Sequence, residues 1–341
     1  MERIQGLTRL QTYLIKNDVY LIFIGNRINR LFQTSLIPLA IVMAHVVVVG
    51  SSNTDLVVKT ERFPKPGETL VGGDFFLFQG GKGANQAVAA ARMGAKVTFI
   101  SKVGKDLFGK QTQEGLEKEG ISTRLVLEDP EKATGIALIT VNKQGENTIV
   151  VAPGANASLS PSDIQAALPS LHNHAFILCQ LEIPIDTITF LASYAQEENK
   201  NLILNPAPAQ KLPESIYDQL FLITPNETEA SLLTGMPCDS EVDYPKIAQW
   251  FRDKGVRQVL LTLGEKGTYF QNSTQEYRIP AQNVTAVDTT AAGDVFNGSL
   301  AVALAEGIPW KEAITLATKA ASISVTRMGA QASAPYRNEL V

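Results

Sequence analysis

A chain of 341 residues, 45% hydrophobic and 19% charged, is long enough to bury one large core with or without a small second one, and its formal charge of −4 argues against a nucleic-acid partner. Two cysteines and three histidines, with no C-x-x-C pair, exclude a disulfide framework and a structural zinc set, and point to a reducing, cytoplasmic setting. The expected ligand is a small molecule.

Residues 1–42 carry short apolar bursts, Tyr20–Ile24 and Leu36–Val42, interrupted by Asn26, Arg27, Asn29, Arg30 and Gln33. No apolar run reaches the roughly 20 residues of a spanning helix, so no membrane anchor is expected. The pattern fits neither a signal peptide nor a transit peptide. It reads as an extension, with the folded domain at 43–341.

Ala44 to Gly50 is a β-branched run closed by glycine, as in a strand buried on both faces. The loop behind it carries Asn53, Thr54 and Asp55, which serve equally as turn formers or as ligands for sugar hydroxyls at a strand's carboxyl end. From Asp55 to Phe78, Pro64, Pro66, Gly67, Gly72 and Gly73 punctuate short segments, and Glu68–Val71 and Phe75–Phe78 read as strands leaving the main sheet. Gly135–Val141 and Asn147–Val151 bracket a turn and read as a hairpin. Together, pieces from about 56–78 and 135–151 make a small sheet able to cover an active site.

Between them, Gln79-Gly80-Gly81-Lys82-Gly83-Ala84-Asn85-Gln86 leads into an alanine-rich helix stopped at Gly94. Its glycines allow close backbone approach, and Lys82 and Asn85 offer donors. It is not a dinucleotide fingerprint, because Gln86 stands where the last glycine belongs; nor is there a Walker loop, since Gln111 follows Lys110 where Ser or Thr should bind magnesium.

From Leu171 onward, strands (176–181, 201–205, 220–224, 258–263) alternate with helices (186–198, 243–254), the pattern of a parallel sheet with helices on both faces. His172 and His174 read as a polar loop ahead of the first of these strands rather than a metal pair. Polar residues recur at predicted strand ends: Gln180-Leu181-Glu182, Asn205-Pro206-Ala207, Pro225 to Glu229, and Thr262 to Gly267. Such loops at one sheet edge favour a ligand site. Glu227 and Glu229 are either early-helix acids or carboxylates that order magnesium beside a triphosphate.

The stretch Thr285 to Gly298 passes from Asp288, Thr289 and Thr290 through Ala291, Ala292 and Gly293 to Asp294, and then into the apolar pattern of a helix. Small residues leave first-turn N–H groups open to an anion. Asp294 is then either an acid favouring the helix dipole or a general base beside an anion hole.

Asp288 to Gly298 resembles the second signature of the ribokinase, or phosphofructokinase-B-type, carbohydrate kinases, and Gly80–Ala87 with Val103–Gly109 resembles the first. The similarity runs from about Ala44 to Pro335. It implies a Rossmann-like three-layer α/β/α fold with a β-sheet lid that often pairs into a homodimer, and ATP-dependent phosphorylation of D-ribose at its 5-hydroxyl. By this resemblance Asp294 is the base, and Ala291, Ala292 and Gly293 are the anion hole. Asn53, Thr54, Asp55, Gly81, Lys82, Gly83, Ala84, Asn85 and Glu182, with Asp294, hold the sugar. Asn226, Thr262, Leu263, Gly264, Glu265, Lys266 and Gly267, with Gly293, Asp294 and Thr318, hold ATP, with Mg2+ as its cofactor. Asp288, Thr290, Ser324, Arg327, Gly329 and Ser333 match the positions that hold a monovalent cation, usually K+, several through backbone carbonyls. Within the family, a kinase for another pentose, sugar or nucleoside is the alternative. A catalytically silent sugar-binding scaffold would predict loss of Asp294, Gly293 or Lys82, and all three are present.

Overall fold

The computed structural model describes residues 13–15, 19–21, 44–171 and 174–340, and the chain divides into two compact units, Met1–Val42 and Met43–Val341. In the first unit, β1 (Tyr13–Ile15) and β2 (Val19–Leu21) pair antiparallel with Tyr13 opposite Leu21. The remainder of residues 1–42, and His172, lie outside the described residues.

The second unit is built on a nine-stranded sheet. Its strands are β3 (His45–Val49), β6 (Lys96–Gly104), β7 (Val126–Asp129), β10 (Phe176–Cys179), β11 (Asn201–Leu204), β12 (Leu222–Ile223), β13 (Gln258–Thr262), β14 (Thr268–Gln271) and β15 (Glu276–Ile279). They run in the order β15-β14-β13-β12-β11-β10-β3-β6-β7. From β7 to β13 the pairing is parallel, and β14 and β15 add an antiparallel edge. That hairpin is absent from the strand–helix alternation read from sequence.

Successive side chains of a strand face opposite sides, so each strand feeds two cores. Val46 and Val48 pack with residues of α1 (Lys82–Arg92), α2 (Leu107–Lys118), α8 (Ala292–Ala305) and α9 (Trp310–Ser324), among them Val88, Leu116, Phe296, Leu300 and Ile314. Val47 and Val49 pack with Ile164 of α3 (Pro161–Ala167), Ile188 and Leu191 of α4 (Ile185–Glu197), and Ile247 and Phe251 of α7 (Tyr244–Asp253). These side chains are fully buried, and each contributes about 1.5–3 kcal/mol of transfer free energy. The result is the expected three-layer α/β/α arrangement.

A separate four-stranded sheet, in the order β5-β4-β8-β9, is formed by β4 (Asn53–Lys59), β5 (Phe75–Gly80), β8 (Gly135–Val141) and β9 (Asn147–Ala152). β4 follows β3 after only Gly50, Ser51 and Ser52, so the small sheet grows directly from the carboxyl edge of the large one. The expected strand at Glu68–Val71 does not form. Arg62 pairs with Glu68 through both guanidinium nitrogens, and the Glu68 N–H donates to the Lys65 carbonyl (2.9 Å), closing a loop around Pro64, Pro66 and Gly67.

Candidate active site

Chain order reverses between β3 and β10: β6 and β7 build outward on one side, β11 to β13 on the other. Ligands of open α/β sheets bind at such a switch point, beyond the carboxyl ends of the strands. The loops leaving β3 and β10 meet there, where the Ser51 hydroxyl donates to Glu182 Oε2 at 2.5 Å. Glu182 Oε2 also accepts the Lys82 backbone N–H (3.0 Å), so one carboxylate joins both loops to the start of α1.

The glycine-rich stretch is not a loop ahead of a helix: Gln79 and Gly80 end β5, Gly81 is the cap, and the rest forms the first turn of α1. α1 begins at Lys82, capped by Gly81 at φ 86°. That φ favours glycine, and a Cβ at Gly81 would lie 2.6 Å from the Asn53 backbone nitrogen. The turn therefore presses against the first residue of β4. Gly83 donates its N–H to Ser51 Oγ (3.3 Å), and Ala84 to the Ser51 carbonyl (2.9 Å).

α8 points its own first turn at the same place. Its cap, Ala291, is left-handed at φ 60°, a conformation costly for a residue with a Cβ, and no side chain caps the helix. The Ala292 N–H is taken by the Thr289 carbonyl (3.3 Å), so that member of the expected anion hole is already engaged. Asn297 Nδ2 donates to the Gly293 carbonyl (2.8 Å) and its Oδ1 accepts from Thr224 Oγ1 (2.7 Å), tying that turn to the end of β12.

Asp294 does not cap its helix. Its carboxylate turns to α1, where Oδ2 accepts from Asn85 Nδ2 (3.0 Å) and Oδ1 from Gln86 Nε2 (2.9 Å). Such contact requires close helices, and Gly298 permits it, since a Cβ there would lie 2.5 Å from the Gln86 carbonyl oxygen. Burial raises the Asp294 pKa, opposed by Lys82 and by the two amide donors. Lys82 is raised, chiefly by Asp294 against the effect of burial, so it stays cationic. Burial, with Glu182 and Asp294 adding to it, pushes Asp55 up to about 7. Asp55, Lys82, Glu182, Glu229 and Asp294 thus form one charge-coupled group.

Other expected residues take more particular places. The Asn53 carbonyl oxygen accepts from Asn156 Nδ2 (2.8 Å), and Asn156 also exchanges hydrogen bonds with both backbone groups of Ser52. Strand alternation turns Thr54 to the opposite face from Asn53 and Asp55. Asn226 forms a reciprocal capping box with Glu229 at the start of α6 (Glu227–Thr234), the structural role open to Glu229. Asn226 bridges to Thr262, the Leu263 N–H donates to the Gly267 carbonyl, and Lys266 pairs with Glu227 at 2.8 Å, so the 262–267 segment borders the α6 start. Gly264 and Glu265 lie in its short turn. Thr318 is buried on α9, and its hydroxyl has no partner among the described residues.

Asp288 accepts the Thr290 N–H (2.9 Å) and the Gly329 N–H (2.9 Å). Although burial opposes it, these bonds hold its carboxyl below the usual range. The Val287 and Asp288 N–H groups both donate to the Val325 carbonyl, joining the loop before α8 to the one after α9. The hydroxyls of Ser324 and Ser333 donate to the Ala321 and Ala330 carbonyls, and the Arg327 guanidinium is engaged by Glu339. The Arg327 guanidinium is thus committed to an ion pair, and this residue could meet a cation only through its carbonyl.

Sequence reasoning gave no site role to Gln86, Asn156 and Asn297, and placed Gln180 and Asn205 only within strand-end loops that favour a ligand site, without their partners. The available signal was polar amides within or beside otherwise apolar segments. The two cysteines are free and buried, and burial pushes their thiols up to about 12 (Cys179) and about 11 (Cys238), so neither is a ready nucleophile.

Comparison with known proteins agrees with this geometry. Residues 43–337 match the pfkB family carbohydrate kinases. A Haemophilus influenzae ribokinase is 44% identical over 294 residues, covering 86% of this chain and 96% of that protein. A Salmonella typhimurium deoxyribokinase is 40% identical over 291 residues, 85% of this chain and 95% of that one. The structure of an Arabidopsis thaliana ribokinase complexed with ribose and ATP superposes with a TM-score of 0.82 at 33% identity, covering 87% of this chain and 97% of that chain. With the two signature segments forming two facing helix starts at the switch point, this chain belongs to the pfkB family of carbohydrate kinases.

Proposed function

We propose that this protein is an ATP-dependent kinase that phosphorylates D-ribose at its 5-hydroxyl. The observation that carries the reading is Asp294: a buried carboxylate in the first turn of an uncapped helix, held by two amides and faced by Lys82. Asp294 takes the proton of the 5-hydroxyl as that oxygen attacks the γ-phosphorus of ATP; the bond to the β-phosphate oxygen breaks and ADP leaves. The α8 first-turn N–H groups stabilise charge on the transferring phosphoryl group. Asn85 Oδ1 is buried without a partner among the described residues, which suits acceptance of a hydrogen bond from a sugar hydroxyl. Protonated in part at neutral pH, Asp55 both donates to and accepts from hydroxyls, and Asn53, its carbonyl committed to Asn156, presents its amide N–H groups. Gly81, Gly83, Ala84 and Glu182 shape the same wall.

Asn226, Thr262 to Gly267 and Thr318 hold the nucleotide in this reading. Mg2+ neutralises triphosphate charge when bound. Glu227 and Glu229, each already committed to a neighbour, order it through water. The ionised Asp288 and the carbonyls around Thr290, Ser324, Arg327, Gly329 and Ser333 fit a K+ ion that braces the loop leading to Ala291. The small sheet is a lid, and the exposed residues Phe75, Leu138 and Val150, which the strand register sets on the face opposite Asn53 and Asp55, support pairing into a homodimer. Among the described residues no helix is long and apolar enough to cross a membrane. A cytoplasmic enzyme fits the need for ATP, and the kinase domain begins at Met43, which activity of a chain started there would test.

The deciding assay is ADP formation with D-ribose, 2-deoxy-D-ribose, D-fructose and adenosine, with and without K+. The reading expects the highest kcat/KM for D-ribose and a faster rate with K+. The 40% identity to a deoxyribokinase makes 2-deoxy-D-ribose the second reading, favoured if its kcat/KM is the higher; adenosine as best acceptor would overturn both.

A further inference from the structure

Gln86 is a fully buried polar side chain on the alanine-rich face of α1. Burying an amide among apolar neighbours costs free energy unless its groups are paired. Here the pairing is specific. Nε2 donates to Asp294 Oδ1 (2.9 Å) and to Asn205 Oδ1 (3.0 Å), and Oε1 accepts from Gln180 Nε2 (2.6 Å). Turning the amide over would set its oxygen against two oxygens and its NH2 against that of Gln180, so one orientation is selected. Asn205 is oriented in turn by its Nδ2, which donates to the Thr224 carbonyl (3.3 Å). Gln180 and Asn205 follow adjacent strands, β10 and β11, so Gln86 is anchored to the sheet itself.

The two donors to Asp294 differ. Asn85 keeps a free buried oxygen and is the one fitted to meet substrate. Gln86 is committed wholly to protein groups. We propose that Gln86 is a positioning residue for the reaction: anchored by Gln180 and Asn205, it fixes the rotation of the Asp294 carboxylate and holds it in the ionised form that accepts the substrate proton. This inference rests on Asp294 being the base. A general base works only when its lone pair meets the hydroxyl within a narrow geometry, and an N–H donated to a carboxylate favours the ionised form.

The test combines Gln86→Leu, Asp294→Asn and the double variant, assayed with D-ribose and ATP across pH. Removing a hydrogen bond to a charged group is expected to lower kcat roughly 10- to 100-fold, leave both KM values within about twofold, and move the acid limb of the kcat–pH profile upward. Because Gln86 acts through Asp294, its loss in the Asp294→Asn background should cost no further activity. An unmoved acid limb, or an additive loss in the double variant, reduces Gln86 to a packing role and overturns the proposal. Near-wild-type kcat in Asp294→Asn alone overturns the base assignment, and this proposal with it. If Gln86→Leu does not fold, Gln180→Met frees the amide while keeping the donor, and the same acid limb must still shift upward, by less.

Discussion

The floor of the site and its cover are built differently. The floor is two helix starts locked to the central sheet by buried amides: Gln86, Asn205 and Gln180 behind Asp294, and Asn297 behind Gly293. The cover is a thin sheet, and every residue of its edge strand β9 is exposed. Positioning catalytic groups demands a rigid, fully paired surround, whereas a lid that admits substrate draws on the less stable parts of a fold. The buried network is thus the anchored half of the site, whereas β9 leaves the cover with an exposed edge.

Asp55 lies where the halves meet, on lid strand β4 but charged against the floor, and gives the largest expected effect. Its pKa of about 7 stands above the ordinary 3.8. Between these values the folded state keeps a proton that the unfolded chain has lost, so stability present below about pH 4 falls as pH rises toward 7 and is then level. Asp55→Asn removes the penalty. It should stabilise the protein at pH 8 by on the order of 2–4 kcal/mol and change little at pH 4, as read by urea unfolding, while raising the KM for D-ribose. Equal effects at both pH values would separate Asp55 from the floor.

Gly298→Val attacks the floor alone. Its Cβ would meet the Gln86 carbonyl and Ala89, forcing α1 and α8 apart at a cost of about 3 kcal/mol and reducing kcat by displacing Asp294. Unchanged activity would show that close helix approach is not what sets the base. The lid should be far more tolerant. Val150→Lys, at a position 66% exposed, is expected to change unfolding free energy by less than about 0.5 kcal/mol yet convert a dimer to monomers in light scattering. A large loss of stability would mean that the outer lid face is packed within the chain.

The same contrast governs how much was legible beforehand. The parallel strands were readable because Val46 to Val49 are apolar on both faces, and the α8 start because Ala291 to Gly293 break the apolar pattern with small residues. The α1 start was misplaced: Gly83 is a poor helix former beside Gly81, and contacts of Lys82 with Glu182 and of Gly83 with Ser51 bring both residues into the first turn. Glu68–Val71 has strand composition, but the Arg62 pairing holds it in a loop. The role of Gln86 was invisible, since its partners Asn205 and Asp294 lie 119 and 208 residues away and no local spacing reports such meetings.

The central claim is that one carboxylate, Asp294, deprotonates the 5-hydroxyl of D-ribose. Single-turnover transfer from ATP to D-ribose, compared between wild type and Asp294→Asn under saturating substrates, tests it most directly. The account predicts D-ribose 5-phosphate as product and a rate about 10²–10⁴-fold lower in the variant, with ribose affinity and the folded state preserved. A variant that transfers phosphate at close to the wild-type rate, or a wild type that phosphorylates another hydroxyl, would contradict it.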